Sequence, residues 1–168
     1  MQTVQTKNCV MSQEVAMRKM KRMALEVAER NSEEPELVIA GITGNGEVVA
    51  KCLVNELKKL ANFRITEVKI ELNKKDPVDV TFSPSIETEN KAIVIVDDVS
   101  NTGKTMMYAM KPLLNTHPKK IQTLVLVERS HKLFPVQTDY AGLSITTTLQ
   151  EHISVETEKG EIRGAWLF

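Results

Sequence analysis

Asp97 and Asp98 stand at the end of an apolar run, Ile93-Val-Ile-Val96, and a short turn separates them from Thr102-Gly103-Lys104-Thr105. These residue types can do two kinds of chemistry close together. The first backbone N–H groups of a helix have no partner inside it and carry partial positive charge. If residues 102 to 105 open a helix, those groups point outward, Gly103 lets the backbone come close, and the Thr102 and Thr105 hydroxyls add donors. That set suits a terminal phosphate. Two carboxylates one turn away would repel a bare phosphate, so they face something else. Ribose hydroxyls, a Mg²⁺ ion and developing positive charge are the candidates.

Two other phosphate motifs are excluded by single positions. Gly103-Lys104-Thr105 matches the end of a nucleoside-triphosphate P-loop, but that motif needs glycine at position 98, where this chain has Asp. Gly44-Asn45-Gly46 begins like a dinucleotide fingerprint, but Val49 stands where its third glycine belongs. The plainer account, in which the acidic pair merely ends a strand and caps a helix, leaves the glycine and hydroxyl set without a purpose.

The elements that must position these groups follow from periodicity. Ala16, Met20, Met23, Ala24 and Val27 form one apolar stripe and predict a helix over 12–30, with Ser12 as its cap and Asn31 at its end. Leu37 to Ala40 predicts a buried strand, Gly41 to Gly46 a loop, and 47–60 a second helix. A strand is expected over 65–72 with one wet side, then a long loop over 73–91. Further strands are expected at 92–97 and 121–127, with a helix after Gly103 that Pro112 shortens, and a closing hairpin about Lys159-Gly160. Strands alternating with helices predict an α/β fold with a mostly parallel sheet flanked by helices. Ligands in such sheets lie beyond the carboxyl ends of the strands, so the turns at 41–46 and 102–105 should line one crevice.

Composition narrows the class. The chain has 168 residues, enough for one core, with no internal repeat or dividing linker, so a single domain over 1–168 is expected. Acidic and basic residues balance at 22 each, so no global field points to nucleic acid or membrane. Cys9 and Cys52 lack metal-ligand spacing and read as reduced thiols of a cytoplasmic protein. No apolar run reaches the roughly 20 residues that span a bilayer, and Met1 to Asn8 lacks the apolar stretch of a secretory signal.

At this point the residues resemble a known family. Val94 to Thr105 is similar to the phosphoribosyl pyrophosphate motif of type I phosphoribosyltransferases. Val125 to His131, Phe134 to Val136 and Asp139 to Gly142 resemble the pyrimidine-operon attenuator proteins that double as uracil phosphoribosyltransferases, as do Glu29 to Asn31, Gly41 to Thr43 and Ile70 to Asp76. The likeness runs from about residue 10 to the end.

The resemblance implies a type I phosphoribosyltransferase fold with a small hood, and a Mg²⁺-dependent transfer in pyrimidine salvage. Ribose 5-phosphate would pass from phosphoribosyl pyrophosphate to a nucleobase, with uracil the expected one. It implies that Asp97 and Asp98 meet the ribose hydroxyls and the metal, and that Val99, Ser100, Asn101, Thr102, Gly103, Lys104 and Thr105 form the donor's phosphate loop. Thr43, Gly44, Asn45 and Gly46 would contact pyrophosphate with Mg²⁺. The loop around Asn73 to Pro84 would close over the donor, and Asp139 to Thr148 would lie in a hood over the base. Such proteins form homodimers or larger homo-oligomers.

Three features bear on the other side of the reaction. The family's Thr-Arg-Gly is here Gly44-Asn45-Gly46, which removes a cation from the leaving group's loop. A base-reading lysine of the hood has become Leu143. Lys74 and Lys75 can serve the pyrophosphate from the closing loop, or form a solvated pair on it. Arg18, Lys19, Lys21 and Arg22 form a basic cluster on the first helix; it suits RNA, although such faces are commonly just solvated. The alternative function is thus a nucleotide-sensing regulator or RNA-binding attenuator with weak or no transferase activity.

Overall fold

The computed structural model describes residues 7–168; the polar stretch Met1 to Thr6 lies outside the described residues. The chain begins with β1 (Asn8–Ser12) and α1 (Gln13–Arg30). Ser12 caps α1 by accepting a hydrogen bond from the Val15 N–H, and the predicted stripe of Ala16, Met20, Met23, Ala24 and Val27 is wholly buried. Each large apolar side chain so buried contributes about 1.5–3 kcal/mol. β2 (Glu36–Ile42), α2 (Asn45–Leu57), β3 (Arg64–Leu72) and β4 (Val80–Ser83) follow. Then come β5 (Ala92–Ser100), α3 (Lys104–Ala109), a 3-10 turn at Lys111–Asn115, β6 (Lys120–Arg129), β7 (Tyr140–Ile145) and the hairpin β8 (Ile153–Glu158) and β9 (Glu161–Leu167).

Six strands form the main sheet in the order β4-β3-β2-β5-β6-β7, parallel except for β4. The continuous apolar runs of β2 and β5 are explained by burial on both faces. Leu37, Ile39, Val94 and Val96 pack toward α1 and α2, whereas Val38, Ala40, Ile93 and Ile95 pack with Met106, Ala109 and Leu113 of α3 and the turn after it. β1, β9 and β8 form a separate three-stranded sheet that rests on α1 and α2 and reaches β5 through β8.

The structure corrects several expectations. α2 starts two residues earlier than predicted, at Asn45, because Glu47 turns back to accept a hydrogen bond from the Gly44 N–H. The 73–91 segment is not all loop: Val80 to Ser83 pairs antiparallel with β3 as an edge strand. The 139–148 segment is not a hood. Tyr140 to Ile145 is the outer parallel strand, paired with β6, and Leu143 packs against the α1-side core. The additional small sheet is instead built from β1 and the closing hairpin. Pro112 does end α3, and the chain continues as a 3-10 turn.

Opposite the carboxyl edge, charged residues join the strand beginnings. Glu36 accepts from the Thr66 hydroxyl at 2.6 Å and pairs with Arg64 at 2.9 Å and Lys91 at 3.2 Å. The Thr66 hydrogen bond first, then Arg64, hold its carboxyl down from 4.5 to about 2. A carboxyl depressed in the fold contributes stability above its unfolded value and loses it as pH falls through the folded value. Glu36→Gln is therefore expected to cost about 1–2 kcal/mol near neutral pH. Denaturant melts should show that cost shrinking as pH falls from 4.5 toward 2.

Candidate functional site

β5 runs three residues beyond the predicted 92–97, to Ser100, so Asp98 as well as Asp97 lies inside the strand. Strand residues alternate faces, yet at this end of β5 both carboxylates come within reach of one ammonium group. Asp97 is 3% exposed, and its Oδ1 accepts the Asp98 N–H at 2.9 Å. Lys74, from the segment between β3 and β4, reaches both: its Nζ is 2.9 Å from Asp97 Oδ1 and 3.5 Å from Asp98 Oδ1. Burial is the main force raising the Asp97 carboxyl, to about 7; the Asp98 charge adds to it and Lys74 opposes it. Burial acts against the charged Lys74 ammonium, but the two carboxylates outweigh it and the net shift is upward.

The Gly41 to Gly46 turn meets β5 as the topology requires. Gly46 sits directly under the acidic pair, where an added Cβ would lie 2.9 Å from Asp97 Oδ1 and 3.0 Å from the Val96 carbonyl oxygen, so a side chain there would displace the carboxylate. Thr43 is tied to β3 through Ile70 O, its N–H at 2.9 Å and its hydroxyl at 2.8 Å. Asn45 Nδ2 donates to Asp98 Oδ2 at 3.2 Å. One crevice thus brings together Thr43 to Gly46, Lys74 and the acidic pair. Lys75 is exposed, and its N–H is turned to Asn73 Oδ1.

Val99 to Thr105 wraps a concavity of about 50 Å³ together with Asp97 and Met106. Gly103 has φ of 85°, in the left-handed region that favours glycine, and this bend turns the chain into α3. α3 has only six residues, so its dipole is small, and the N–H groups of the turn itself are the nearer donors for an anion. The Thr102 hydroxyl accepts from the Lys104 N–H at 3.3 Å. The Thr102 carbonyl takes the N–H groups of Leu133 and Phe134, which clamps the turn from outside.

Sequence reasoning missed the β6–β7 connection as part of this wall. Lys132 Nζ donates to Ser100 Oγ at 2.6 Å and pairs with Glu128 at 3.2 Å. Arg129 donates to the Thr147 hydroxyl at 2.7 Å, the Thr148 carbonyl at 2.8 Å and Asn101 Oδ1 at 3.4 Å, which fixes the segment after β7 against the phosphate-sized turn. A wider pocket of about 450 Å³ opens beside them, lined in part by Glu128, Lys132, Phe134 and Gln137. The family-like stretch Val125 to His131 was the available signal, but Lys132 lies just beyond it, and its pairing with Ser100 is long-range and encoded by no periodicity.

The basic cluster of α1 is partly committed. Arg18 pairs with Glu14, and Arg22 pairs with Glu26 and donates to the Ala141 and Gly142 carbonyls of β7. Among the described residues no group of three or more His, Cys, Asp or Glu side chains could hold a metal by itself. None of the described helices is long and apolar enough to cross a membrane.

Known proteins share this fold. The phosphoribosyl transferase domain family matches residues 12–159. A relative from Enterococcus faecalis (strain OG1RF), named bifunctional protein PyrR, is 33% identical over 151 residues, which cover 84% of this chain and 85% of the relative. A bifunctional protein PyrR from Clostridium kluyveri is 31% identical over 159 residues, covering 89% of this chain and 90% of its own. Among solved structures, the hypoxanthine phosphoribosyltransferase of Trypanosoma cruzi superposes with a TM-score of 0.73 at 17% identity, over 83% of this chain and 82% of that one. A hypoxanthine-guanine phosphoribosyltransferase from Bacillus anthracis superposes with a TM-score of 0.69 at 21% identity, over 84% of each chain.

Proposed function

Since the chain belongs to the phosphoribosyl transferase family, we propose that it transfers ribose 5-phosphate from phosphoribosyl pyrophosphate to uracil. The bond from the sugar C1 to the pyrophosphate oxygen breaks, a bond from C1 to a ring nitrogen forms, and the proton of that nitrogen is released with the pyrophosphate. The products are a nucleoside monophosphate and pyrophosphate, an activity that belongs to pyrimidine salvage. The observation that carries this reading is β5 itself, which sets two carboxylates beside a glycine-and-hydroxyl turn of phosphate size.

Each group has a role by its chemistry. The N–H groups and hydroxyls from Thr102 to Thr105 hold the 5-phosphate, with Val99 to Asn101 as the wall leading to them. Asp97 and Asp98 accept from the ribose hydroxyls and oppose the positive charge that grows on the ribose as pyrophosphate leaves. Thr43 to Gly46 lies across the crevice, where the leaving group would stand. Lys74 supplies a cation there that Asn45 does not, and Lys75 lies on the same segment.

The donor set also fits Mg²⁺. That ion takes one or two carboxylates and completes its shell with waters and substrate phosphate oxygens rather than with a full protein cage. Asp97 and Asp98 are the residues that would hold it. When bound, it neutralises charge on the departing pyrophosphate. Uracil is supported by the likeness of Val125 to His131 and Asp139 to Gly142 to attenuator proteins that use it.

The test is pyrophosphate release from donor and Mg²⁺ with a panel of bases: uracil, hypoxanthine, guanine, xanthine and adenine. Release with uracil is expected. Release with another base alone would keep the donor half and overturn the base assignment. No release with any base would overturn the transferase reading.

A further inference from the structure

Asn45 stands where a cation contacting the leaving group is expected, yet its carboxamide is wholly engaged inside the protein. Nδ2 donates to Asp98 Oδ2 at 3.2 Å and to the Val155 carbonyl at 2.8 Å. Oδ1 accepts the Thr157 hydroxyl at 2.9 Å. The amide orientation is fixed by its partners: turned over, Oδ1 would face a carboxylate and a carbonyl, both acceptors. Val155 and Thr157 belong to β8 and Asn45 is the first residue of α2, so one side chain joins three parts of the fold at the acidic pair.

We propose that Asn45 is a positioning residue for Asp98, which it locks to the three-stranded sheet, and that it does not itself contact the pyrophosphate. This inference rests on the transferase reading above. Asp98 is held from two sides, Oδ1 toward Lys74 and Oδ2 toward Asn45. Lys74 lies on the segment between β3 and β4, and its own role is with the leaving group, so Asn45 is the holder that stays in place during turnover. An arginine could not substitute. It has no acceptor for the Thr157 hydroxyl, and its reach would carry its charge past Asp98. Asparagine at this position exchanges a contact with the leaving group for a fixed carboxylate, and Lys74 supplies the missing cation.

Thr157 makes the proposal testable, because it has no place in the substrate site. Titration calorimetry would measure phosphoribosyl pyrophosphate binding in the presence of Mg²⁺ for wild type, Thr157→Val, Thr157→Ser, Asn45→Ala and the Asn45→Ala/Thr157→Val double variant, with thermal midpoints alongside. Thr157→Val is expected to weaken donor binding roughly 3- to 10-fold, the worth of one such hydrogen bond. Thr157→Ser, which keeps the hydroxyl, should bind as wild type. Asn45→Ala should be weaker than Thr157→Val, and the double variant no weaker than Asn45→Ala, because both act through one path. Unchanged donor affinity in Thr157→Val, whether its midpoint falls or Asn45→Ala alone binds poorly, overturns the inference and leaves the function standing. A wild type that binds no donor overturns the function, and this inference with it.

Discussion

Asp97→Asn combined with Asp98→Asn is expected to lower pyrophosphate release at least about 10³-fold, the scale of removing preorganised charge stabilisation from a transition state. The fold should remain. Asparagine keeps the shape of aspartate, and the acidic pair is a liability to stability rather than a support. Asp97 is a buried carboxylate that its surroundings push up to about 7, by burial first and by its neighbour second. Neutralising both removes that desolvation cost and the repulsion between them. Lys74 loses its partners, but its side chain is 41% exposed and can turn to water. The thermal midpoint of the double variant should therefore equal or exceed that of wild type while turnover disappears. This opposite movement of stability and activity marks groups selected for chemistry. A turnover rate within tenfold of wild type would show that the carboxylates do not face the reacting ribose.

How much of this was legible in the sequence depended on range. β5 was readable because burial on both faces demands an unbroken β-branched run, and the acidic pair that follows is a local signal. The crevice was readable too, because parallel strands bring the turns after Ile42 and Ser100 to one edge whatever the side chains do. β4 escaped because an edge strand needs only four half-exposed residues, and Val80 to Ser83 lies among the prolines and charges of 73–91. β7 escaped because the link from β6 carries no helix and Gly142 breaks the β-branched pattern; its position rests on pairing with Leu124 to Arg129. The small sheet joins Asn8 to Ser12 with Glu161 to Leu167, a pairing across nearly the whole chain. Asn45 shows the same limit at the site. Its type was visible, but its purpose depends on Val155 and Thr157, which only tertiary register brings within reach.

Lys74→Met should split two properties that a solvated lysine would leave alone. The Lys74 ammonium lies 2.9 Å from Asp97 and 3.5 Å from Asp98, the oxygens proposed to meet a divalent cation and the ribose hydroxyls. On the proposed reading, donor and metal compete with Lys74 for these oxygens, and binding displaces it. Methionine keeps the length and apolar stem but leaves the carboxylates without their internal counter-ion. Mg²⁺ binding in the absence of donor should then tighten, by roughly 10-fold if the half-exposed pair is worth about 1–1.5 kcal/mol. Pyrophosphate release should move the other way, falling about 10²-fold, because the displaced ammonium is the cation proposed to serve the leaving group and Asn45 carries no charge to replace it. Calorimetric Mg²⁺ titration and steady-state release assays on one preparation would read both. Unchanged Mg²⁺ affinity would show that Lys74 does not guard the carboxylates. Unchanged release would show that its ammonium does nothing for the departing pyrophosphate. The expected pairing of tighter metal binding with slower chemistry follows only if one lysine both pairs with the carboxylates and serves the leaving group.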